Sequence, residues 1–244
     1  MTALLKEGER LDDLQCNGLK LIQRSDVFRF GTDSVLLADF ASPRPKDRAV
    51  DLGCGTGAIA LLMAAHAPGV TVDAVEIQPD IADMARRSVE LNGMEGRVRV
   101  LNADMREAWR ELGPEKYTLA VCNPPYGKAG AALESISDAK RTARHEGDLT
   151  PSDLCRAAER LIKNGGRFCV IYPAPRAFEL MRAMHENRLA PKRIRTVHGV
   201  AGRPPQFVLM DAVKGGGEGL HWLAPLVLRN EDGSFTEEWH RIYG

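Results

Sequence analysis

Three clustered glycines, three acids spaced along the chain, and an asparagine followed by Pro-Pro-Tyr are the residues whose types and spacing can do chemistry in this sequence. The glycines lie in Ala49-Val50-Asp51-Leu52-Gly53-Cys54-Gly55-Thr56-Gly57-Ala58, between a short β-rich apolar run and an apolar helical one. Glycine there permits positive φ and lets backbone amides come close to a ligand. With Ala58 as the last small position, the run fits the loosened Gly-x-Gly-x-x-Gly/Ala dinucleotide fingerprint, and Glu76 follows at about the expected distance. The motif by itself leaves two ligands open, a dinucleotide or S-adenosylmethionine. A carboxylate at Asp51 would repel a pyrophosphate and favour the cationic amino-acid end of S-adenosylmethionine. Glu76, followed by Ile77, suits two ribose hydroxyls as a bidentate acceptor. Asp104, followed by Met105, can accept from an adenine amino group. The predicted cofactor site therefore comprises Asp51, Gly53, Cys54, Gly55, Gly57, Glu76, Ile77, Asp104 and Met105, with the acids at consecutive strand ends, where open α/β sheets bind ligands.

The second constellation is Asn123-Pro124-Pro125-Tyr126, predicted to be catalytic. Two prolines cannot continue a central strand, so the loop is stiff and its carbonyls are fixed in direction. Such a loop suits methylation of a planar amino nitrogen, whose lone pair is delocalised. The Asn123 side-chain oxygen and the Pro124 carbonyl can hold the two amino hydrogens and draw the lone pair towards a sulfonium methyl, which also puts Asn123 beside the cofactor. No strong general base is required, and catalysis consists of positioning and electrostatics. Tyr126 offers a flat face for an unstacked base.

These residues must be carried on an alternating βαβ frame with a mostly parallel sheet. Strands are predicted at 49–52, 70–77, 98–101, 117–122 and 167–172, with helices at 57–66, 79–92, 105–112 and 151–164. Asn92-Gly93 ends one helix; Thr150 caps another, with Pro151 at its first position and Gly165-Gly166 as its stop. A helix at 175–187 and strands at 193–197 and 207–213 follow. Residues 1–47 form a hairpin, turning at Asn17-Gly18, and a helix packed on the core; 48–244 form the catalytic domain. The tail from Leu223 reads as a strand, a turn at 230–233 and a short helix.

Composition removes other classes. With 44% hydrophobic and 27% charged residues the chain is an ordinary globular protein, and no run approaches the roughly 20 apolar residues of a membrane span. The N-terminus lacks a secretory signal, and five dispersed cysteines read as reduced thiols, so a cytoplasmic location is expected. The six histidines show no metal-ligand spacing, and no metal is expected. Lys plus Arg (33) balances Asp plus Glu (33), which excludes coating of nucleic acid by bulk charge but leaves local basic faces. Two are candidates for RNA: Lys140, Arg141 and Arg144, and Lys192, Arg193 and Arg195 in an acid-free stretch. The three tryptophans, Trp109, Trp222 and Trp239, are expected in the core or at hinges.

The glycine loop resembles the S-adenosylmethionine loop of class I methyltransferases, and Asn123-Pro124-Pro125-Tyr126 resembles their signature for methylating amino nitrogens. The stretch Val27-Phe28-Arg29-Phe30-Gly31-Thr32-Asp33-Ser34-Val35-Leu36-Leu37-Ala38, the segment Ala143-Arg144-His145-Glu146 and the tail from Leu226 are similar to bacterial tRNA adenine-N6 methyltransferases acting on adenosine-37 of a valine tRNA. The resemblance implies a Rossmann-like α/β fold with a seven-stranded, mostly parallel sheet flanked by helices, S-adenosylmethionine as cofactor, a tRNA partner, and a segment closing over the cofactor that adds Arg29, Gly31, Thr32 and Asp33 to the site. It leaves monomer and homodimer open. Alternatives are a glutamine-N5 protein methyltransferase, disfavoured by the short region before the glycine loop, an rRNA guanine-N2 methyltransferase, and, more remotely, an NAD-dependent oxidoreductase or an inactive binding module.

Overall fold

A computed structural model describes residues 4–25, 30–125 and 149–243. An antiparallel hairpin, β1 (Glu9–Asp13) and β2 (Lys20–Arg24), precedes α1 (Thr32–Ala41). Asn17 and Gly18 both have positive φ, 49° and 71°, and the Leu19 amide donates to the Cys16 carbonyl. The expected primed turn is therefore formed, inside a wider loop. The hairpin is pinned to the next layer by side chains: Asn92 bonds both the amide and the carbonyl of Lys20, at 2.9 and 2.7 Å, and Ser88 accepts from the Ile22 amide.

The core alternates β3 (Arg48–Leu52), α2 (Ala58–His66), β4 (Thr71–Glu76), α3 (Pro79–Leu91), β5 (Val98–Asn102), α4 (Trp109–Leu112) and β6 (Tyr117–Cys122). It continues with α5 (Pro151–Leu161), β7 (Ile162–Pro173), α6 (Ala177–Glu186), β8 (Leu189–Val200) and β9 (Phe207–Lys214). The strands lie in the order β5-β4-β3-β6-β7-β9-β8, parallel except for β9. Ala49, Val50 and Leu52 are fully buried, as a strand covered on both faces requires. The strand order reverses between β3 and β6, which places a crevice at their carboxyl ends.

Three expectations are corrected. The sheet has nine strands rather than seven: β10 (His221–Trp222) and β11 (Leu226–Arg229) add to the β8 edge, followed by α7 (Glu237–Tyr243). The helix expected over 151–164 ends at Leu161, because fully buried Ile162 enters the sheet opposite Tyr117 and the Gly165-Gly166 pair becomes an irregularity of β7. The helix expected over 105–112 forms only from Trp109. Trp239 is buried, stacked between Phe235 and Tyr243, but Trp222 is 67% exposed. Thr150 makes its predicted cap, with Asp153 as the reciprocal partner. Among the described residues no helix is long and apolar enough to cross a membrane.

Candidate active site

The glycine loop turns back over β4. Gly53, Gly55 and Gly57 have φ of 74°, 55° and 92°, the left-handed region that a side chain would strain, and the amides of Gly53 and Cys54 both donate to the Val75 carbonyl at 2.9 Å. Gly57 also lies against Ala85 of α3, where an added Cβ would make contact at 3.5 Å. α2 starts directly from it and is buried on every side from Ala58 to Ala64. The Cys54 thiol is buried, and that burial raises its pKa well above the usual value, so it contributes no nucleophile.

Two carboxylates meet this loop. Glu76 is nearly buried and accepts from the Gly55 amide at 3.0 Å and the Gln78 amide at 2.9 Å. Burial raises its pKa against those bonds. Asp51 is fully buried, and neither carboxylate oxygen has a hydrogen bond of normal geometry. Burial pushes its pKa up to about 7, opposed by the nearby Ala60 amide and reinforced by the charge of Glu76.

Asp104 behaves differently from both. Its carboxylate is gripped by the Arg106 guanidinium and amide, which hold its pKa below the usual carboxylate range. Gly53, Val75, Glu76, Ile77, Ala103, Asp104, Met105, Arg106, Pro125 and Leu149 line one cleft of about 470 Å³, counting the part open to solvent. Ile77 is 37% exposed there, an apolar edge beside Glu76. The sequence missed Arg106, which had no distinguishing spacing, and Leu149, whose approach depends on the fold alone.

Pro124 is buried and Pro125 exposed at the end of β6. The Asn123 amide nitrogen donates to Asp33 at 2.9 Å. Gly31 precedes α1 in extended conformation, with Thr32 the first helical residue. Asp33 thus meets the catalytic loop, where the sequence had placed it with the cofactor. Arg29, Tyr126, Lys140, Arg141 and Arg144 lie outside the described residues.

Each cation of the second basic cluster has a partner within the chain. Lys192 donates to the carbonyls of Gly217, Glu218 and Gly219. Arg193 forks onto Asp211 and covers the Phe40 ring, and Arg195 forks onto Glu238. The acid-free stretch is acid-free only locally, since strand pairing and the tail bring Asp211 and Glu238 to it.

A mostly parallel sheet with a glycine loop, strand-end acids and Asn-Pro-Pro at its switch point defines a Rossmann-like enzyme that binds a nucleotide-derived ligand. The sequence pattern of the methyltransferase small domain matches residues 25–188. A tRNA1(Val) (adenine(37)-N6)-methyltransferase of Yersinia pseudotuberculosis serotype O:3 is 32% identical over 217 residues, covering 88% of this chain and 84% of that protein. A predicted O-methyltransferase from Agrobacterium tumefaciens superposes with a TM-score of 0.72 at 26% identity, covering 87% of this chain and 95% of that one. A geranyl diphosphate methyltransferase solved in complex with SAM shares the fold, with a TM-score of 0.54 at 18% identity over 74% of this chain and 84% of that one. The chain belongs to the methyltransferase small domain family and is a methyltransferase.

Proposed function

We propose that the chain transfers a methyl group from S-adenosylmethionine to the N6 amino group of an adenine in tRNA, at adenosine-37 of a valine tRNA as in the Yersinia relative's name. The observation that carries this reading is the meeting, at the carboxyl ends of β3 and β6, of the Asn123-Pro124-Pro125 loop with a buried carboxylate, Asp51, whose oxygens have no hydrogen bond of normal geometry among the described residues. An orphaned buried carboxylate costs stability unless a cation meets it. The cationic amino-acid end of S-adenosylmethionine supplies that cation, and a pyrophosphate does not. Glu76 holds the ribose hydroxyls, Ile77 and Met105 flank the adenine, and Gly53 and Gly55 allow the close approach.

Bound S-adenosylmethionine supplies an electrophilic methyl: the amino nitrogen's electron pair forms the new N–C bond while the S–C pair stays on sulfur, and the nitrogen then sheds one proton to water. Asn123 Oδ1 and the Pro124 carbonyl accept from the two amino hydrogens, which fixes the nitrogen and enriches its lone pair as positive charge develops there. Tyr126 provides the stacking face for the flipped base. With a tRNA substrate, the reading includes a cytoplasmic location.

The test is nucleoside mass spectrometry of tRNA incubated with protein and S-adenosylmethionine. N6-methyladenosine in tRNA is expected, with at least a hundredfold less when Asn123→Ala replaces the wild type at unchanged cofactor affinity. Methylated glutamine in a release factor, with no methylated tRNA, overturns the substrate.

A further inference from the structure

Asn123 carries two chemically opposite ends, an accepting oxygen and a donating nitrogen, and only the oxygen can help an amino group react. Asp33 decides which end faces outward. Its Oδ2 accepts from Asn123 Nδ2 at 2.9 Å, and its Oδ1 accepts from the Ser34 amide at 2.9 Å. An ionised carboxylate can only accept, so the amide must turn its nitrogen towards Asp33. Ser34 Oγ lies 3.5 Å from the same nitrogen. Gly31 makes room for this contact, because a Cβ there would lie 2.8 Å from Asp33 Oδ1.

We infer that Asp33 is a positioning residue for Asn123, holding the amide so that Oδ1 rather than Nδ2 is offered to the nitrogen being methylated. This rests on the amino-methylation reading above and departs from a cofactor role for Asp33. Protonated Asp33 becomes a donor, satisfies Oδ1 instead, and lets the amide turn its nitrogen to the substrate. Asp33 is half-buried, and that burial raises its pKa against the Asn123 bond. Activity should therefore be lost as pH falls through that raised value. The titratable group facing Asp33 from the packed elements is Tyr243 of α7, whose phenol is itself shifted up by burial and stays neutral across the acid range. Further along α1, Asp39 faces His66 of α2 together with Arg195, Glu238 and Arg241, and Arg193 of β8 covers Phe40.

Asp33→Asn, close to isosteric, tests the assignment. It should lower kcat tenfold or more, leave the affinity for S-adenosylhomocysteine within twofold, and remove the acid limb of the wild-type kcat profile. An unchanged kcat, or a tenfold loss of S-adenosylhomocysteine affinity with kcat retained, overturns it, the latter by making Asp33 a cofactor ligand. A readout independent of substrate is the side-chain amide resonance of Asn123 in the wild-type protein. It should shift with pH in one step that Asp33→Asn abolishes, and a signal insensitive to pH overturns the inference even if no tRNA is methylated.

Discussion

Two buried aspartates occupy the same row of the sheet and lead opposite lives. Asp51 of β3 pairs in register with Val121, Val121 with Cys169, Cys169 with Asp211, and Asp211 with Arg193. Asp211 is clamped by two guanidiniums, Arg193 at 2.9 Å and Arg167 at 3.5 Å. Asp51 has no such clamp. Both carboxylates are buried, but guanidiniums hold one oxygen of Asp211, whose other oxygen is unpaired, while neither oxygen of Asp51 is hydrogen-bonded; on the proposed function that difference leaves Asp51 for the cation of S-adenosylmethionine. Charge in this protein is informative only after strand pairing has assigned partners.

The largest effect tests the clamped side. Arg193→Ala leaves Asp211 with one distant guanidinium and removes the cation over Phe40, and breaking a buried pair costs about 3 kcal/mol. At roughly 2–4 °C per kcal/mol for a chain of this size, calorimetry should show a fall in Tm of about 6–12 °C. The salt dependence of tRNA binding should stay as in the wild type. A flattened slope without loss of stability would make Arg193 a phosphate contact and erase the contrast with Asp51.

Asp51 comes next, and its sign is the reverse. Its folded pKa of about 7 lies above the ordinary value of 3.8, so the folded state holds the proton more tightly than the unfolded chain does. The ligand-free protein should lose stability as pH rises from about 4 to about 7, and Asp51→Asn should remove that dependence. Asp51→Ala should weaken S-adenosylmethionine binding tenfold or more, on the order of the 1.5–3 kcal/mol of a hydrogen bond to a charged group. Wild-type affinity should also decline below pH 7, since a protonated Asp51 no longer attracts the cation. Calorimetric titrations at several pH values check this, and equal affinities for wild type and Asp51→Ala would remove the cofactor assignment.

What could be read from sequence and what could not divide along the same line. The glycine loop was legible because three residues free of a Cβ between a strand and a helix have few other uses, and the structure gives all three positive φ. The caps at Asn92 and Thr150 were legible because their partners are four and three residues away. The Asp33 to Asn123 bond spans 90 residues and the Arg193 to Asp211 pair spans 18, so both exist only once the sheet order sets them side by side. Hence neither the Asp33 to Asn123 bond nor the partners of Lys192, Arg193 and Arg195 could be read from the sequence. Two-residue β10 shows no alternation to detect, and the tail strand was legible but its addition to the β8 edge was not, so the seven strands implied by the resemblance became nine.

Asp104 lies between the two extremes and should show the smallest effect. It lines the cleft as Asp51's ligand-side role would require, yet it is already forked by Arg106 as Asp211 is by Arg193. Both partners are partly exposed, with side chains 27% and 43% accessible, so solvent screens the pair and either can turn to a ligand at little cost. An adenine amino group must therefore compete with Arg106 and water for the same oxygens, and the net gain is that of one exchanged hydrogen bond, about 0.5–1.5 kcal/mol. Asp104→Ala should weaken S-adenosylmethionine binding by about two- to tenfold in a calorimetric titration, less than Asp51→Ala. Adding Arg106→Ala to the wild type should tighten binding or leave it unchanged, because it frees the acceptor. A loss at Asp104 as large as that at Asp51 would mean that burial and pairing do not rank these acids, and the contrast between the two aspartates would lose its predictive value.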